Sequence, residues 1–372
     1  MEFAQFMAGP SAGLKLADLG ARVIKIERPK TGEAGRKIAI KNLFIEDDSL
    51  VFHTINRNKQ SYTADLKNPH DLDKVKTLIR KADVMTHNFR PGVMEKIGLD
   101  YKSVSAINPT IVYGEVTGYG NTGPWAKKPG QDLLVQSLSG LNYLTGNEDD
   151  NPTPMGLAAV DMFTGAHLAQ GILAALYQCA KSKKGAKISV SLLESALDMQ
   201  FEVLTTYLND GKKSFERAKL GSAHAYLAAP YGVYKTKDKH LAIAMMPLNE
   251  LTEALNIELP TEFANEISWF EKRDEIMQFL SDIFKTETTY HWLSLLESRG
   301  IWCSNLFDYQ ELLNHEAYNI LKMDQVVETI KKEEIRTTRC PIRIDGERIF
   351  SRISAPKVGQ DNEAINEEFN LN

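Results

Sequence analysis

Apolar runs and amphipathic segments alternate along the first third of the chain. An apolar face of Leu14, Leu16 and Leu19 ends at Gly20, and Pro10 suits a first helical turn, so this segment is predicted to be a helix. Short apolar runs predict one strand before this helix and another after it. Such a unit implies a parallel sheet with a right-handed crossover, and ligands usually bind beyond the carboxyl ends of its strands.

The same alternation continues toward the middle of the chain and predicts an α/β fold. The predicted strands are residues 1–7, 21–26, 61–67, 83–88, 110–117 and 187–190. The predicted helices are residues 10–20, 71–81, 94–98, 162–180 and 192–209.

The pattern changes in the last part of the chain, where a hairpin with its turn at residues 237–239 precedes several helices. The predicted elements there are the hairpin over 231–246 and helices over 248–256, 271–284 and 288–298. We therefore predict a small α+β domain at 221–320 and a large domain formed by 1–215 together with 325–372.

Asp161 is the strongest candidate for chemistry because it directly precedes the predicted helix 162–180, which contains no proline. An Asp at a helix N-cap normally does no more than accept a hydrogen bond from a backbone amide. The alternative is that this carboxylate, approached by an apolar run with small neighbours, is a nucleophile that forms a covalent acyl intermediate. The local pattern leaves both interpretations open.

Composition and charge exclude several classes of function. The formal net charge of −5 and a pI near 6.0 argue against a nucleic-acid partner. No run of apolar residues approaches the roughly 18 of a membrane span, and no basic region leads into a hydrophobic N-terminal segment. Cys179, Cys303 and Cys340 are odd in number and widely spaced, so they predict buried thiols and neither a disulfide framework nor a metal site. We predict a cytoplasmic protein that does not bind membranes.

The segment from Gly118 to Gly123 matches the dinucleotide fingerprint G-x-G-x-x-G. The match is weak because a true fingerprint needs a helix that opens on its last glycine, and here Pro124 follows at once. A nicotinamide or flavin enzyme is therefore disfavoured. We interpret the segment as a flexible loop that borders the site and could cover it against water.

Several further motifs follow one another in a fixed order. They are residues 8–29, 56–61, 65–67, 82–92, 129–132, 156–161, 184–185 and 336–341. Together they resemble the class III CoA-transferases, also described as the formyl-CoA transferase or carnitine and bile-acid CoA-transferase family, over almost the whole chain. The resemblance implies a Rossmann-like large domain with a parallel sheet, a smaller α+β domain, and an interlocked, ring-like homodimer.

The resemblance also implies a mechanism in which Asp161 is the nucleophile. Asp161 attacks an acyl-CoA thioester to give a mixed anhydride, and the released CoA thiolate then forms an aspartyl-CoA thioester. An acceptor carboxylic acid completes the exchange. CoA and acyl-CoA are substrates, and no other cofactor is implied.

The residues expected to contact CoA are carried over by position from the same resemblance. Cations for the CoA phosphates would be Arg28, Lys67, Arg90, Lys96 and Lys128. Backbone or apolar contacts would come from Met7, Ala8, Ala64, Leu66, Asn88 and Phe89. Asp132 matches an acidic position beside the nucleophile, where like-charge repulsion could bias the protonation of Asp161.

The chain departs from the family pattern in two places. The family has about ten further residues before the position of Met1, which would complete the first strand. A glycine-rich segment of formyl-CoA transferases is missing from the middle domain, so formate and oxalate are not the expected acids.

Two rival functions remain within the same resemblance. An acyl-CoA racemase needs a histidine where this chain has Gln131, and glutamine cannot accept the proton. A CoA-binding protein without activity is disfavoured by the intact Asp161.

Overall fold

The computed structural model describes residues 1–213, 216–351 and 353–371. The strands are β1 (Val23–Glu27), β2 (Phe44–Ile45), β3 (Asp48–Ser49), β4 (Lys59–Thr63), β5 (Val84–His87), β6 (Val112–Thr117), β7 (Ala186–Ser191), β8 (Gly232–Lys235), β9 (His240–Ile243), β10 (Cys303–Asn305), β11 (Asp324–Glu328), β12 (Glu334–Thr338), β13 (Arg343–Ile344) and β14 (Glu347–Arg348). The helices are α1 (Ala8–Asp18), α2 (Leu50–Ile55), α3 (Pro69–Ile79), α4 (Val93–Ile97), α5 (Tyr101–Ile107), α6 (Asp132–Leu138), α7 (Ala159–Ser182), α8 (Leu192–Met199), α9 (Phe201–Asn209), α10 (Leu248–Leu255), α11 (Ser268–Glu271), α12 (Arg273–Phe284), α13 (Thr289–Ser298), α14 (Tyr309–Asn314), α15 (Glu316–Leu321) and α16 (Asn362–Phe369).

The chain forms two compact units. The first comprises Met1–Val135, Leu157–Met199 and Ile320–Asn372, and the second comprises Gln136–Gly156 and Gln200–Asn319. The predicted division instead placed residues 136–156 and 200–215 in the large domain. Residues 215 and 372, which end the two predicted segments of that domain, lie outside the described residues.

Hydrogen bonds explain why the segment 136–156 belongs to the second unit. The amide of Glu148 donates to the carbonyl of Ala218, and the amide of Ser222 donates to the side chain of Asn147. These contacts join two stretches that are about 70 residues apart in sequence, a long-range pairing that local patterns do not report.

A parallel sheet organises the first unit. Strands β1 and β4 pair in parallel, as do β5 with β6 and β6 with β7. Glu2 joins the two groups because it pairs in parallel with Lys25 of β1 and with Thr86 of β5. The strand order is therefore β4, β1, the first residues of the chain, β5, β6 and β7. Strands β1 and β6 are buried along their full length, as expected for a parallel sheet covered on both faces.

Strand β4 ends at Thr63, earlier than the predicted end at residue 67. The side chain of Asp65 accepts a hydrogen bond from the amide of Lys67, and the amide of Asn68 donates to the carbonyl of Asp65. These bonds form a turn, so residues 64–67 leave the sheet as a loop at its carboxyl edge.

Helix α7 begins at Ala159, which makes Asp161 its third residue and Ala158 its N-cap. The prediction that Asp161 is the N-cap was wrong, because Ala159 and Val160 adopt helical geometry and pack into the core.

By length and composition, α7 could also cross a membrane, the one such helix in the part of the chain that the structure describes. The sequence prediction that no stretch approaches a span overlooked it. The length and composition of α7 are weak evidence for a membrane span, since core helices of soluble proteins pass the same test. Helix α7 packs on α1 and β6.

The second unit is built on a three-stranded sheet in the order β10, β9, β8. Strands β8 and β9 form the predicted hairpin and pair in antiparallel register. The hydrophobic core of the second unit includes the buried side chains of Tyr234, Leu241, Leu280, Phe284 and Trp292. The predicted helix 271–284 is divided between α11 and α12.

The three cysteines are free thiols. Cys340 is buried as predicted, whereas Cys179 and Cys303 are only partly buried.

Candidate active site

Asp161 lies in the first turn of α7 and is half-buried. Its backbone amide donates a 2.9 Å hydrogen bond to the carboxylate of Asp132, which is the first residue of α6 and is itself buried. Burial and, second, the charge of Asp132 raise the pKa of Asp161 to about 7. Two acidic side chains are therefore held together where a helix begins.

Helices α1 and α7 approach one another closely beside this site. A Cβ atom built on Gly165 would lie 1.8 Å from the hydroxyl of Ser11 and 2.7 Å from the carbonyl oxygen of Ala8. Only glycine fits at this position. The start of α1 is thereby held against α7, one helical turn after Asp161.

Two glycine loops in contact support Asp132. A Cβ atom on Gly118 would lie 2.7 Å from the Cα atom of Gly130, so neither position has room for a side chain. The hydroxyl of Tyr119 donates to the carbonyl of Pro129 at 3.2 Å. The next helix begins only at Asp132, as expected if residues 118–123 do not form a dinucleotide fingerprint.

A cavity of ≈ 730 Å³ lies at the carboxyl edge of the sheet. Residues that directly follow four neighbouring parallel segments line it, among them Gln5, Arg28, Ala64, Lys67 and Phe89. Ligands of open α/β sheets bind at this edge, where the strand order reverses. The cavity is large enough to hold part of a ligand of the size of CoA.

The structure brings some of the predicted CoA contacts together and leaves others apart. Those that line the large cavity are Arg28, Ala64, Leu66, Lys67 and Phe89. Those that do not line it are Met7, Ala8, Asn88, Arg90, Lys96 and Lys128.

Each residue outside the cavity has a different position in the fold. Met7 is the N-cap of α1, and Ala8 is the first residue of that helix. Arg90 lines a separate, narrow cavity of ≈ 20 Å³. Lys96 is exposed on α4, and the exposed ammonium of Lys128 lies 5.3 Å from the ring centre of Trp125.

The side chains of Asn88 and Glu33 hold the turn between the first sheet segment and α1. Asn88 accepts a hydrogen bond from the amide of Gln5 and donates to its carbonyl, at 2.8 and 2.7 Å. The amide of Phe6, whose φ of 65° is unusual for a bulky residue, donates to Glu33 at 3.0 Å. Asn88 therefore supports the backbone next to the cavity, and Glu33 is a site residue that the sequence analysis missed.

His87 and Glu115 were also missed. Both are buried near the carboxyl ends of β5 and β6. A charged residue inside a strand that is otherwise uncharged was a usable signal, because buried carboxylates are rarely found without partners. Among the residues described, no three His, Cys, Asp or Glu side chains come together as a metal site.

Comparison with known proteins identifies the family. A family model described as CoA-transferase family III matches residues 1–362. The chain belongs to CoA-transferase family III. The resemblance drawn from the sequence motifs is thereby confirmed, and the protein is a CoA-transferase.

Its relatives act on different acids, as their names state. The chain is 34% identical over 307 residues to the succinyl-CoA:glutarate CoA-transferase of Mus musculus, covering 81% of this chain and 69% of the relative. It is 31% identical over 380 residues to the acetyl-CoA:oxalate CoA-transferase of Acetobacter aceti, covering 99% and 94%. A crystal structure of a CAIB/BAIF family protein from Brucella suis matches with a TM-score of 0.84 and 30% identity, covering 99% and 97% of the two chains. That likeness supports the mixed α/β architecture described above.

Proposed function

We propose that this CoA-transferase moves CoA from an acyl-CoA donor to a free carboxylic acid through covalent intermediates on Asp161. A carboxylate oxygen of Asp161 attacks the thioester carbonyl carbon, the carbon–sulfur bond breaks, and CoA leaves as its thiolate. The product is a mixed anhydride. The thiolate then attacks the Asp161 carbonyl of that anhydride, which releases the donor acid and leaves an aspartyl-CoA thioester.

The second half of the reaction repeats these steps in reverse order. The acceptor carboxylate attacks the aspartyl thioester, which regenerates a mixed anhydride and a CoA thiolate. That thiolate attacks the acceptor's acyl carbon, so that a new acyl-CoA leaves and the Asp161 carboxylate is free again. No cofactor beyond the CoA substrates takes part.

The single observation that carries this proposal is that Asp161 is half-buried at the start of α7, directly beside the carboxylate of Asp132. A carboxyl group with a pKa of about 7 is strongly perturbed, and it is perturbed by burial and by a specific acidic neighbour, Asp132. Such perturbation is typical of functional carboxyl groups rather than of helix caps. A desolvated carboxylate is also a better nucleophile than a hydrated one, provided that it is ionised.

We place the CoA ester in the large cavity, with Arg28 and Lys67 paired to phosphate groups. The strand order of the first unit supports its assignment as Rossmann-like. If the six parallel segments are numbered in chain order, beginning with the first residues of the chain, they lie in the sheet in the order 3-2-1-4-5-6. We propose that the other predicted residues contact parts of the ligand that extend beyond this cavity. These residues are Met7, Ala8, Asn88, Arg90, Lys96 and Lys128.

We also propose the interlocked homodimer and a cytoplasmic location. No residue of α9 is buried within the chain although its Phe201 and Leu208 are apolar and exposed, and this uncovered helix supports an interface between copies. Light scattering of the purified protein tests the dimer.

The test of the mechanism is a covalent adduct. Enzyme mixed with an acyl-CoA and no acceptor should gain the mass of CoA less one water on the peptide that contains Asp161. Hydroxylamine should cleave this adduct because a thioester is electrophilic, and the Asp161→Asn variant should not form it. Absence of any adduct in an enzyme that turns over would remove Asp161 as the nucleophile.

The same experiment separates the transferase from the racemase. A racemase would show exchange of the substrate α-proton with deuterated solvent and no adduct, although Gln131 lacks the basicity for that step. Substrates are then identified with a panel of acyl-CoA donors and carboxylic acids, read by mass as new CoA thioesters. Oxalate and glutarate belong in the panel because two relatives are named for them.

A further inference from the structure

Glu115 is a buried carboxylate in the middle of the sheet, only 6% exposed. One of its oxygens, Oε1, accepts hydrogen bonds from Asn121 Nδ2 at 2.5 Å, from Ser189 Oγ at 2.7 Å and from Lys187 Nζ at 2.9 Å. Ser189 and Lys187 belong to the neighbouring strand β7, but Asn121 belongs to the glycine loop that follows β6. Glu115 therefore fixes a loop and not only the sheet.

His87 faces the other oxygen of the same carboxylate. His87 and Glu115 are directly paired positions of β5 and β6, and the histidine Nε2 lies 3.9 Å from Glu115 Oε2. The histidine Nδ1 accepts a hydrogen bond from the amide of Phe89 at 3.3 Å, which assigns the ring proton to Nε2. Burial lowers the pKa of His87 to about 4, so the ring is neutral. Its Nε2 has no hydrogen-bond partner among the described residues. The charged groups near the ring include Glu115 and Lys187, and Lys187 is itself bound to Glu115.

These two side chains contact loops that lead to the two halves of the site. Phe89, whose amide is bound by His87, lines the large cavity. Asn121, bound by Glu115, lies in the loop whose Gly118 packs against Gly130. Two residues after Gly130, the carboxylate of Asp132 accepts the amide hydrogen of Asp161.

We infer that His87 and Glu115 are a pair of positioning residues, Glu115 for the loop that supports Asp132 and His87 for the loop that lines the CoA cavity. Neither touches the reacting atoms. The effect on turnover rests on the proposed function, whereas the effect on the loops does not. We therefore expect different kinetic effects from the two residues. Loss of the contact between Glu115 and Asn121 should lower kcat, and loss of the contact between His87 and the amide of Phe89 should raise the KM of the CoA ester.

The experiment compares Glu115→Gln, Asn121→Ala, their double variant and His87→Ala. Ser189→Ala is the matched control, because it removes another donor to the same carboxylate oxygen without touching a loop of the site. Each variant is assayed for kcat and KM of CoA transfer, and amide hydrogen exchange is followed by mass spectrometry in peptides that cover residues 118–132. Asn121 is exposed, so its replacement keeps the test available if Glu115→Gln fails to fold.

Displacement of a reacting group by even 1 Å costs up to a hundredfold in rate, so we expect kcat to fall about tenfold to a hundredfold in Glu115→Gln and in Asn121→Ala. The double variant should be no worse than the poorer single variant, because Glu115→Gln removes the charge from the same contact that Asn121→Ala removes entirely. Exchange in residues 118–132 should accelerate in these variants and stay unchanged in Ser189→Ala. His87→Ala should mainly raise KM.

Two outcomes overturn the inference, and a third separates it from the proposed function. Independent, multiplying losses in the double variant would show that Glu115 does not act through Asn121. Loss of thermal stability with unchanged kcat and exchange would make the pair purely structural. If exchange changes as expected but the wild-type protein transfers no CoA, the positioning pair stands and the proposed function fails.

Discussion

The carboxylate of Asp132 accepts a hydrogen bond of 2.9 Å from the backbone amide of Asp161 and thereby holds a second negative charge beside the proposed nucleophile. Burial is the larger cause of the raised pKa of Asp161, about 7, and the charge of Asp132 is the smaller one. Because the folded-state pKa lies near neutral pH, the fraction of Asp161 that is ionised changes between about pH 6 and pH 8.

We expect kcat/KM for CoA transfer to rise with pH through about 7, because only the ionised Asp161 attacks a thioester. Asp132→Asn removes the like charge while keeping the shape, so the pKa of Asp161 falls and the rising limb moves to lower pH. The limb does not return to the pH of a free aspartic acid, since burial remains. Asp73→Asn, on the exposed side of α3, is the control. A limb that stays in place in Asp132→Asn would show that Asp132 does not act on Asp161 by charge.

Replacement of Asp161 should separate catalysis from binding. Asp161→Asn and Asp161→Ala are expected to lower kcat by about a thousandfold or more, because the covalent path is lost. Binding of the CoA ester should stay within a few-fold, since Asp161 does not line the large cavity. Calorimetric titration with a CoA thioester measures the second quantity. Substantial turnover in either variant would assign the chemistry to another group.

Arg28 and Lys67 should contribute to CoA affinity. Each Ala variant is expected to weaken binding by about 1 to 3 kcal/mol, the loss of one charge-assisted contact, with the effect mainly in KM. Both side chains are solvent-exposed at the rim of the cavity, so the lower end of that range applies at high salt. Lys81→Ala removes an exposed charge at the opposite, amino end of the strands and should leave KM unchanged. Equal effects in all three variants would place the phosphates elsewhere.

The sequence predicted the alternation of strands and helices in the first unit, because each element carries its own local signal. Elements whose position depends on distant contacts were less predictable. The turn after Thr63 depends on the side chain of Asp65, and the break before α12 falls inside one continuous amphipathic pattern. The segment 136–156 joins the second unit through bonds to residues 218 and 222, which no local pattern contains.

The candidate site was predictable where family motifs fix residue types and less so where the fold determines contacts. The motifs pointed to Asp161 and Asp132, and the structure places them side by side. The same motifs grouped Arg28 with Lys128, but these residues lie in different surroundings. Glu115 and His87 lie far apart in sequence, and only the pairing of β5 with β6 makes them neighbours.

The close approach of α1 and α7 gives a stability prediction at Gly165. Alanine in place of a helical glycine normally gains about 1 kcal/mol of helix propensity. Here the new methyl group would lie 2.7 Å from the backbone oxygen of Ala8, which cannot rotate away, and overpacking of this kind costs about 1 to 3 kcal/mol. The clash should win, so we expect Gly165→Ala to lower the Tm by several degrees.

Gly171→Ala in the same helix is the matched control for that prediction. Its new methyl group would meet side-chain atoms of Ile188, with Cγ2 at 2.8 Å, but no backbone atom of another element within 4 Å, so we expect a smaller loss of Tm than at Gly165. The double variant Gly165→Ala with Ser11→Ala should recover part of the Tm, because it removes the hydroxyl at 1.8 Å but not the carbonyl of Ala8. Because α1 begins next to the turn that carries Asp161, kcat should also fall in Gly165→Ala at temperatures where the protein is fully folded. A Tm equal to that of the wild type would mean that the two helices separate without cost and that their contact does not fix the position of Asp161.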